Sequence, residues 1–129
     1  MNDRELLELA ARAAGIPDAL YLDCVAQDMY HPRDGEAGIE VNHRDTRWSC
    51  LAIDGVWNPL TDDGDALRLA VTRGLVVTPD RENQRTLVSN SAGHEYCAIY
   101  WDQLGEMAAT RLAITEAAAE IGKSMGGGE

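Results

Sequence analysis

The acidic run Asp62-Asp63-Gly64-Asp65 has the composition of a metal-binding loop. Three carboxylates around a glycine resemble the calcium loop of an EF-hand, which has glycine at position 6 and ligands at positions 1 and 12. With Gly64 at position 6, Pro59 falls at position 1 and Ala70 at position 12. Neither residue supplies a carboxylate, so the EF-hand pattern fails. We interpret the run as a helix start, where the helix dipole stabilises acidic side chains; a weak Mg²⁺ contact through one or two carboxylates stays open.

His94 and Cys97 have the spacing of half a zinc site, and they could also form a nucleophilic pair. Tetrahedral zinc needs three or four protein ligands, so Cys24 and Cys50 would have to converge from distant predicted strands. A reactive thiolate needs a positively charged environment, which an acidic chain does not favour. The sequence contains no Gly-x-Ser-x-Gly motif and no glycine-rich phosphate loop. We therefore expect no catalytic residues, no cofactor and no metal ion, and we interpret the protein as a non-enzyme.

Trp57 is the best candidate for an interface anchor, because tryptophan is enriched in binding hot spots. Tryptophan is also well buried on average, so packing in the core is the competing interpretation. If Trp57 is exposed, it stands beside several acidic residues that a basic protein could bind. The predicted interaction patch consists of Trp57, Asn58, Asp62, Asp63 and Asp65.

Two shorter helices are predicted from their capping residues. Asn2 or Asp3 can cap the first helix, and Gly15 fits its left-handed end. Thr61 is the expected N-cap of the second helix, which Gly74 ends. Helical spacing predicts that the second helix buries these residues: Ala66, Leu67, Ala70 and Val71.

A third, alanine-rich helix is predicted from near Asp102 to about Met125, with Gly105 in its first turns. Its expected buried face is long and mostly apolar, with Leu104 and Ala108 beside it. The residues of that face are Met107, Ile114, Ala118, Ile121 and Met125.

Alternating apolar residues predict strands between these helices. Residues 19–26 are a weak candidate, and residues 39–53 are expected to form a β-hairpin that ends at the turn signal of residues 54–55. A second hairpin joins residues 75–78 to residues 86–89, and Glu95–Tyr100 is a further strand. Because hairpins are antiparallel, we expect an α+β fold, a layered α/β sandwich with a mixed or mainly antiparallel sheet packed between helices. We assign residues 1–125 to one domain and residues 126–129 to a flexible glycine-rich tail.

The composition is strongly acidic. The 129 residues include 22 acidic and 11 basic ones, which gives a formal net charge of −11. Such a chain repels nucleic acid phosphates and anionic membranes, so direct binding to either is not expected. The three cysteines are an odd number at wide spacings, which favours a reducing cytoplasm over a secreted disulfide framework.

Three segments resemble recurrent blocks in uncharacterised small proteins of bacteriophages and prophages. They are LLELAARAAGI at residues 6–16, WNPLTDDGDALRLAV at 57–71 and ATRLAITEAAAEIG at 109–122. On these segments the chain resembles the phage ABA sandwich domain group. The resemblance implies an α-β-α layered fold and a phage gene product in the cytoplasm of the bacterial host. It supplies no catalytic residues, and it does not extend to residues 19–39 or 80–94.

The sequence thus favours a non-enzymatic phage or prophage accessory protein that binds a host or phage protein not identified by the sequence. One alternative is an acidic decoy that mimics DNA towards a DNA-binding host protein. Another is a small enzyme acting on a nucleotide or metabolite, which would require a deep pocket with converging polar groups. Homo-oligomer formation is left open.

Overall fold

The computed structural model describes residues 2–16, 21–22, 38–41 and 55–125. These residues form three α-helices and six β-strands. The helices are α1 (Asp3–Ala14), α2 (Asp63–Arg73) and α3 (Glu106–Met125), and the strands are β1 (Tyr21–Leu22), β2 (Gly38–Val41), β3 (Gly55–Trp57), β4 (Val76–Asp80), β5 (Arg85–Ser89) and β6 (Glu95–Tyr100).

The two shorter helices begin and end close to where the sequence predicts. The side chain of Asn2 caps α1 by accepting a hydrogen bond from the Glu5 N–H at 2.8 Å, and Gly15 ends the helix with φ 80°. Gly74 ends α2 in the same left-handed conformation, with φ 64°. The N-cap of α2 is Asp62 and not Thr61, so this prediction was wrong by one residue.

The third helix begins at Glu106, later than predicted. Gly105 has φ 87°, which is outside the helical region, and its N–H donates to the Trp101 carbonyl at 2.7 Å. The residues from Trp101 to Gly105 therefore form a turn that precedes the helix.

The predicted buried face of α3 was wrong at both ends, because Met107 and Met125 are 58% and 53% exposed. The helix packs closely against α1, and only small side chains fit between the two backbones. At Gly122 a Cβ atom would collide with the backbone carbonyl of Leu9. The buried residues of α3 are accordingly small for the most part: Ala109, Ala113, Ile114, Thr115, Ala117, Ala118, Ala119 and Gly122.

The first sheet has the strand order β1-β2-β3, and both pairs are antiparallel. Ile39 pairs with Trp57, and Val41 pairs with Gly55. The strand that pairs with β2 therefore starts at Gly55, where the sequence predicts a turn. The expected return strand, with Trp48 and its neighbours, and most of the candidate strand at residues 19–26 lie outside the described residues.

The second sheet has the order β4-β5-β6 and is also antiparallel. It confirms the second predicted hairpin and the strand Glu95–Tyr100. Pro79 lies on β4, at the edge of this sheet, where the missing N–H of proline is tolerated.

One face of the second sheet contacts α3. The Thr86 and Thr110 hydroxyls lie 2.7 Å apart, and the Trp101 indole N–H donates to the Thr86 hydroxyl at 2.9 Å. Buried residues of the two sheets and the three helices form one apolar cluster, which includes Leu7, Ile39, Trp57, Leu69 and Val88. Helices thus pack against antiparallel strands, and the predicted α+β fold class is confirmed. None of the described helices combines the length and the apolar character needed to cross a bilayer.

Candidate interaction site

The acidic residues at the start of α2 are bound into the local structure. The Asp62 carboxylate accepts from the Asp65 N–H at 2.8 Å, which satisfies one of the unpaired donors of the first turn. The Asp65 carboxylate, only 1% exposed, accepts from the Asn58 N–H at 2.9 Å and from the Arg68 guanidinium at 2.7 Å. Asp62 and Asp65 therefore stabilise the start of the helix and the loop before it.

The tryptophan of the predicted patch lies in the core. Trp57 is completely buried, and it is paired with Ile39 in the first sheet. Asn58 is also buried, and its side-chain oxygen accepts from the Leu60 N–H at 3.0 Å. The prediction of a surface patch is therefore corrected, because Trp57, Asn58 and Asp65 cannot reach a partner from the core. Of the five residues, Asp62 is half-buried and Asp63 is exposed.

Asp63 connects the start of α2 to the second turn of α3. Its side chain is 62% exposed, and its carboxylate accepts from the Arg111 guanidinium at 2.6 Å. The Arg111 Nε donates to the Leu60 carbonyl at 2.9 Å, and the Arg111 side chain is only 20% exposed. Arg111 thus holds the two helices together at one end of an open groove.

This groove, called here the α2–α3 groove, has a volume of about 320 Å³. Helix α2 and helix α3 form its walls, and Val77 of β4 contributes from the sheet. The lining residues are Asp63, Ala66, Leu67, Ala70, Val77, Met107, Thr110, Arg111 and Ile114.

Large apolar side chains are exposed along the groove. Leu67 is 64% exposed on one wall, and Met107 is exposed on the other. Val71, one turn after Leu67 and outside the groove lining, is 73% exposed. The α2–α3 groove therefore presents apolar surface to solvent from both helices.

The sequence does not reveal this exposure, because α2 contains two overlapping apolar stripes. The predicted buried face included Leu67 and Val71, whereas the structure buries Leu69 with Ala66 and Ala70. Residues 66, 69 and 70 fit helical spacing as well as residues 66, 67, 70 and 71. Which of the two stripes is buried depends on the position of α3, and no local sequence pattern encodes that position.

The Cys97 thiol faces α3 and donates to the Ala113 carbonyl at 3.2 Å. Burial, assisted by the negative charge of Glu116, raises the pKa of Cys97 to about 12. The thiol is therefore protonated at neutral pH, which disfavours both nucleophilic attack and metal binding. His94 contacts the ring of Tyr96 edge-on, with centroids 5.1 Å apart. Within residues 2–16, 21–22, 38–41 and 55–125, no three His, Cys, Asp or Glu side chains are grouped to hold a metal ion.

A larger cavity of about 500 Å³ lies at the other end of α3, and His94 and Arg73 are among its lining residues. Two of its polar side chains, Asn90 and Ser124, have structural partners. The Asn90 side chain accepts from the N–H groups of Ala92 and His94, both at 2.9 Å, and the Ser124 hydroxyl donates to the Glu120 carbonyl. These contacts organise a turn and a helix end.

Comparisons with known proteins found no match to this chain among family models, curated proteins or solved structures.

Proposed function

We propose that the protein is a non-enzymatic interaction module that binds a protein partner through the α2–α3 groove. The observation that carries this proposal is the joint exposure of Leu67 and Met107 on the two walls of an open cavity, with Val71 exposed one turn after Leu67. Contiguous exposed apolar surface on a folded domain commonly marks a binding site.

The gain from covering these side chains supports the same function. Complete burial of a Val, Leu or Met side chain is worth about 1.5–3 kcal/mol. Since Leu67, Val71 and Met107 are more than half exposed, a partner that covers all three would gain roughly 3–5 kcal/mol. Association costs at least as much, so further contacts at the rim are needed for a stable complex.

The arrangement of the polar groups also favours binding over catalysis. Asp62 and Asp65 stabilise the start of α2, and the Cys97 thiol is partly buried with a raised pKa. The residues that could most easily do chemistry are thus engaged in contacts that stabilise the fold. The apolar side chains of the groove are instead exposed to solvent.

We also propose that this module is an accessory protein of a phage or prophage and acts in the cytoplasm of the bacterial host. This part rests on the three segments that resemble phage proteins, at residues 6–16, 57–71 and 109–122. The confirmed α+β class is compatible with the layered fold which that resemblance implies.

The test compares two equal substitutions on the same helix. Met107→Lys places a charge at the groove, whereas Met125→Lys makes the same change at a similarly exposed position outside it. Tagged wild type and both variants are used to capture proteins from bacterial lysate, and the bound proteins are quantified by mass spectrometry. We expect a protein that wild type and Met125→Lys retain equally and that Met107→Lys retains at least about tenfold less.

Urea unfolding provides the folding control, since exposed substitutions change stability by no more than about 0.5 kcal/mol. Equal capture by both variants and wild type would contradict the proposal.

A further inference from the structure

We infer that the outer edge of β6 is a self-association site, at which two copies of the chain pair antiparallel and join their second sheets into one. This site is separate from the α2–α3 groove. Three features carry the inference: the backbone groups at the edge, the opposite edge of the same sheet, and the side chains that pairing brings together.

Ala98 and Tyr100 direct their backbone groups away from the sheet. The Trp101 N–H donates to the Gln84 carbonyl at 2.9 Å, in line with the pairing of β5 and β6. Hydrogen-bonded pairs recur at every second position of an antiparallel ladder, so Ile99 is bonded to β5. The residues on either side of it, Ala98 and Tyr100, therefore point their N–H and C=O groups outward.

These outward groups are open to a further strand. β6 is the last strand of its sheet, and within the described parts of the chain no residue outside β5 bonds the backbone of Ala98 or Tyr100. A cavity of about 450 Å³, lined by Tyr96 of β6 and Leu6 of α1 among others, leaves space between this strand and α1. Another extended strand presents donors and acceptors at the spacing that such a row of backbone groups requires.

The opposite edge of the same sheet is blocked. Pro79 lies opposite Thr86, which directs its backbone groups to β6, so Pro79 occupies an outward position of β4 and has no N–H to offer there. In β6 the residues from Cys97 to Tyr100 include neither proline nor a charged side chain, two features that protect sheet edges. With one open edge in this sheet, pairing of two copies is isologous and ends at a dimer.

Self-pairing brings complementary side chains together. Centred on Ile99, it places Ala98 of each copy opposite Tyr100 of the other, and each of these pairs can exchange two hydrogen bonds. Tyr100 is 56% exposed, and its ring would cover the small Ala98 side chain of the second copy. The carboxylate of Glu95 lies beyond the paired segment, so like charges do not face each other across the two strands.

The observations favour a second copy over a strand of another protein. A foreign strand could bond the same backbone groups, but the fit of Tyr100 on Ala98 and the uncharged segment around them are properties of this chain. The formal net charge of −11 on each copy opposes association, and salt screens this repulsion. We therefore expect the dimer to become stronger as the salt concentration rises.

Sedimentation velocity of the full chain measures the dimer, at protein concentrations from about 10 μM to about 1 mM. We expect a concentration-dependent species of twice the monomer mass. This species should be more abundant in about 500 mM NaCl than in about 50 mM NaCl at the same protein concentration.

Backbone amide exchange measured by NMR locates the contact. The N–H groups of Ala98 and Tyr100 should exchange at least about tenfold more slowly at the highest protein concentration than at the lowest, because pairing protects them. The N–H of Ile99 is bonded to β5 in the monomer as well, so its exchange rate should change much less.

Two substitutions at one position separate loss of pairing from loss of structure. Ala98→Pro removes an outward N–H but no bond to β5, as Pro79 does in β4, and should weaken the dimer at least about tenfold. Ala98→Thr keeps the N–H and should leave the dissociation constant within about threefold of the wild-type value. Met107→Lys changes the α2–α3 groove and should not affect the dimer. Circular dichroism checks that each variant is folded.

The outcomes decide this inference separately from the proposed function, which the capture experiment tests at the groove. A chain that stays monomeric over the whole concentration range, or a dimer that Ala98→Pro leaves intact, overturns the inference. A dimer that Met107→Lys dissociates places the second copy in the groove and overturns it as well. If Ala98→Pro does not fold, amide exchange of Ala98 and Tyr100 in the wild type decides, because rates that do not depend on concentration rule out pairing at this edge.

Discussion

Asp63 and Asp65 are two residues apart in one acidic run, yet the structure predicts very different costs for their replacement by alanine. The Asp65 carboxylate is buried and accepts from the Asn58 N–H and from Arg68. The Asp63 carboxylate is mostly exposed and accepts from Arg111. We expect Asp65→Ala to lower the free energy of unfolding by about 2–4 kcal/mol and Asp63→Ala by about 0–1 kcal/mol.

The magnitudes follow from the partners that each substitution leaves behind. In Asp65→Ala the buried Asn58 N–H loses the carboxylate that it bonds, and an unsatisfied buried donor costs about 1–3 kcal/mol. Arg68 loses a charged partner as well, but its side chain is 37% exposed and water can partly replace the carboxylate. In Asp63→Ala the Arg111 guanidinium keeps its hydrogen bond to the Leu60 carbonyl.

Urea unfolding followed by tryptophan fluorescence measures both values, with Trp57 as a buried reporter. Asp65→Asn serves as a third variant and should have an intermediate cost, since the amide oxygen can still accept from the Asn58 N–H. If Asp63→Ala costs as much as Asp65→Ala, or if Asp65→Ala costs less than about 1 kcal/mol, our assignment of Asp65 to the architecture is refuted.

Two further predictions concern the packing of α3. Gly122→Ala should lower the free energy of unfolding by at least about 1–3 kcal/mol, because the new Cβ would collide with the Leu9 carbonyl and push α1 away from α3. Ser124→Ala, at an exposed position of the same helix, is the control, and thermal unfolding measures both variants. The pKa of Cys97 is raised from 9.0 to about 12, so less of the thiol is ionised in the native protein. Iodoacetamide at about pH 8 should therefore label the peptide that contains Cys97 at least about 100-fold more slowly in the native protein than in urea. Equal labelling rates would contradict the raised pKa. The folded state keeps this proton to higher pH than the unfolded state, so the contribution of Cys97 to stability is lost as pH rises from about 9 to about 12.

The elements with local signals were predicted well. Gly15 and Gly74 end their helices in the left-handed conformation, and β6 has the predicted bounds Glu95–Tyr100. These features depend on residues within a few positions of one another, so a single sequence contains the information. The misplaced N-cap of α2 is a local error as well, because Thr61 and Asp62 are both good caps and differ by one position.

The candidate site could not be predicted in the same way. The tryptophan chosen as an anchor is buried, and the methionine assigned to the core is exposed beside the groove. Trp57 is buried because β3 pairs with β2 and Trp57 belongs to the apolar cluster. Met107 is exposed because α3 packs against the rest of the protein mainly through its small residues. Both outcomes depend on contacts between residues far apart in the chain.

The sequence alone determined the α+β class, the C-terminal ends of the shorter helices, the second hairpin and the acidic charge, because each arises from composition or from short-range patterns. Only the tertiary structure decided which apolar residues are buried. Once α1 and α3 approach closely, alanine and glycine occupy their contact and larger side chains are placed elsewhere. The α2–α3 groove is a consequence of that packing, since Leu67 and Met107 lie on helix faces that the core does not cover.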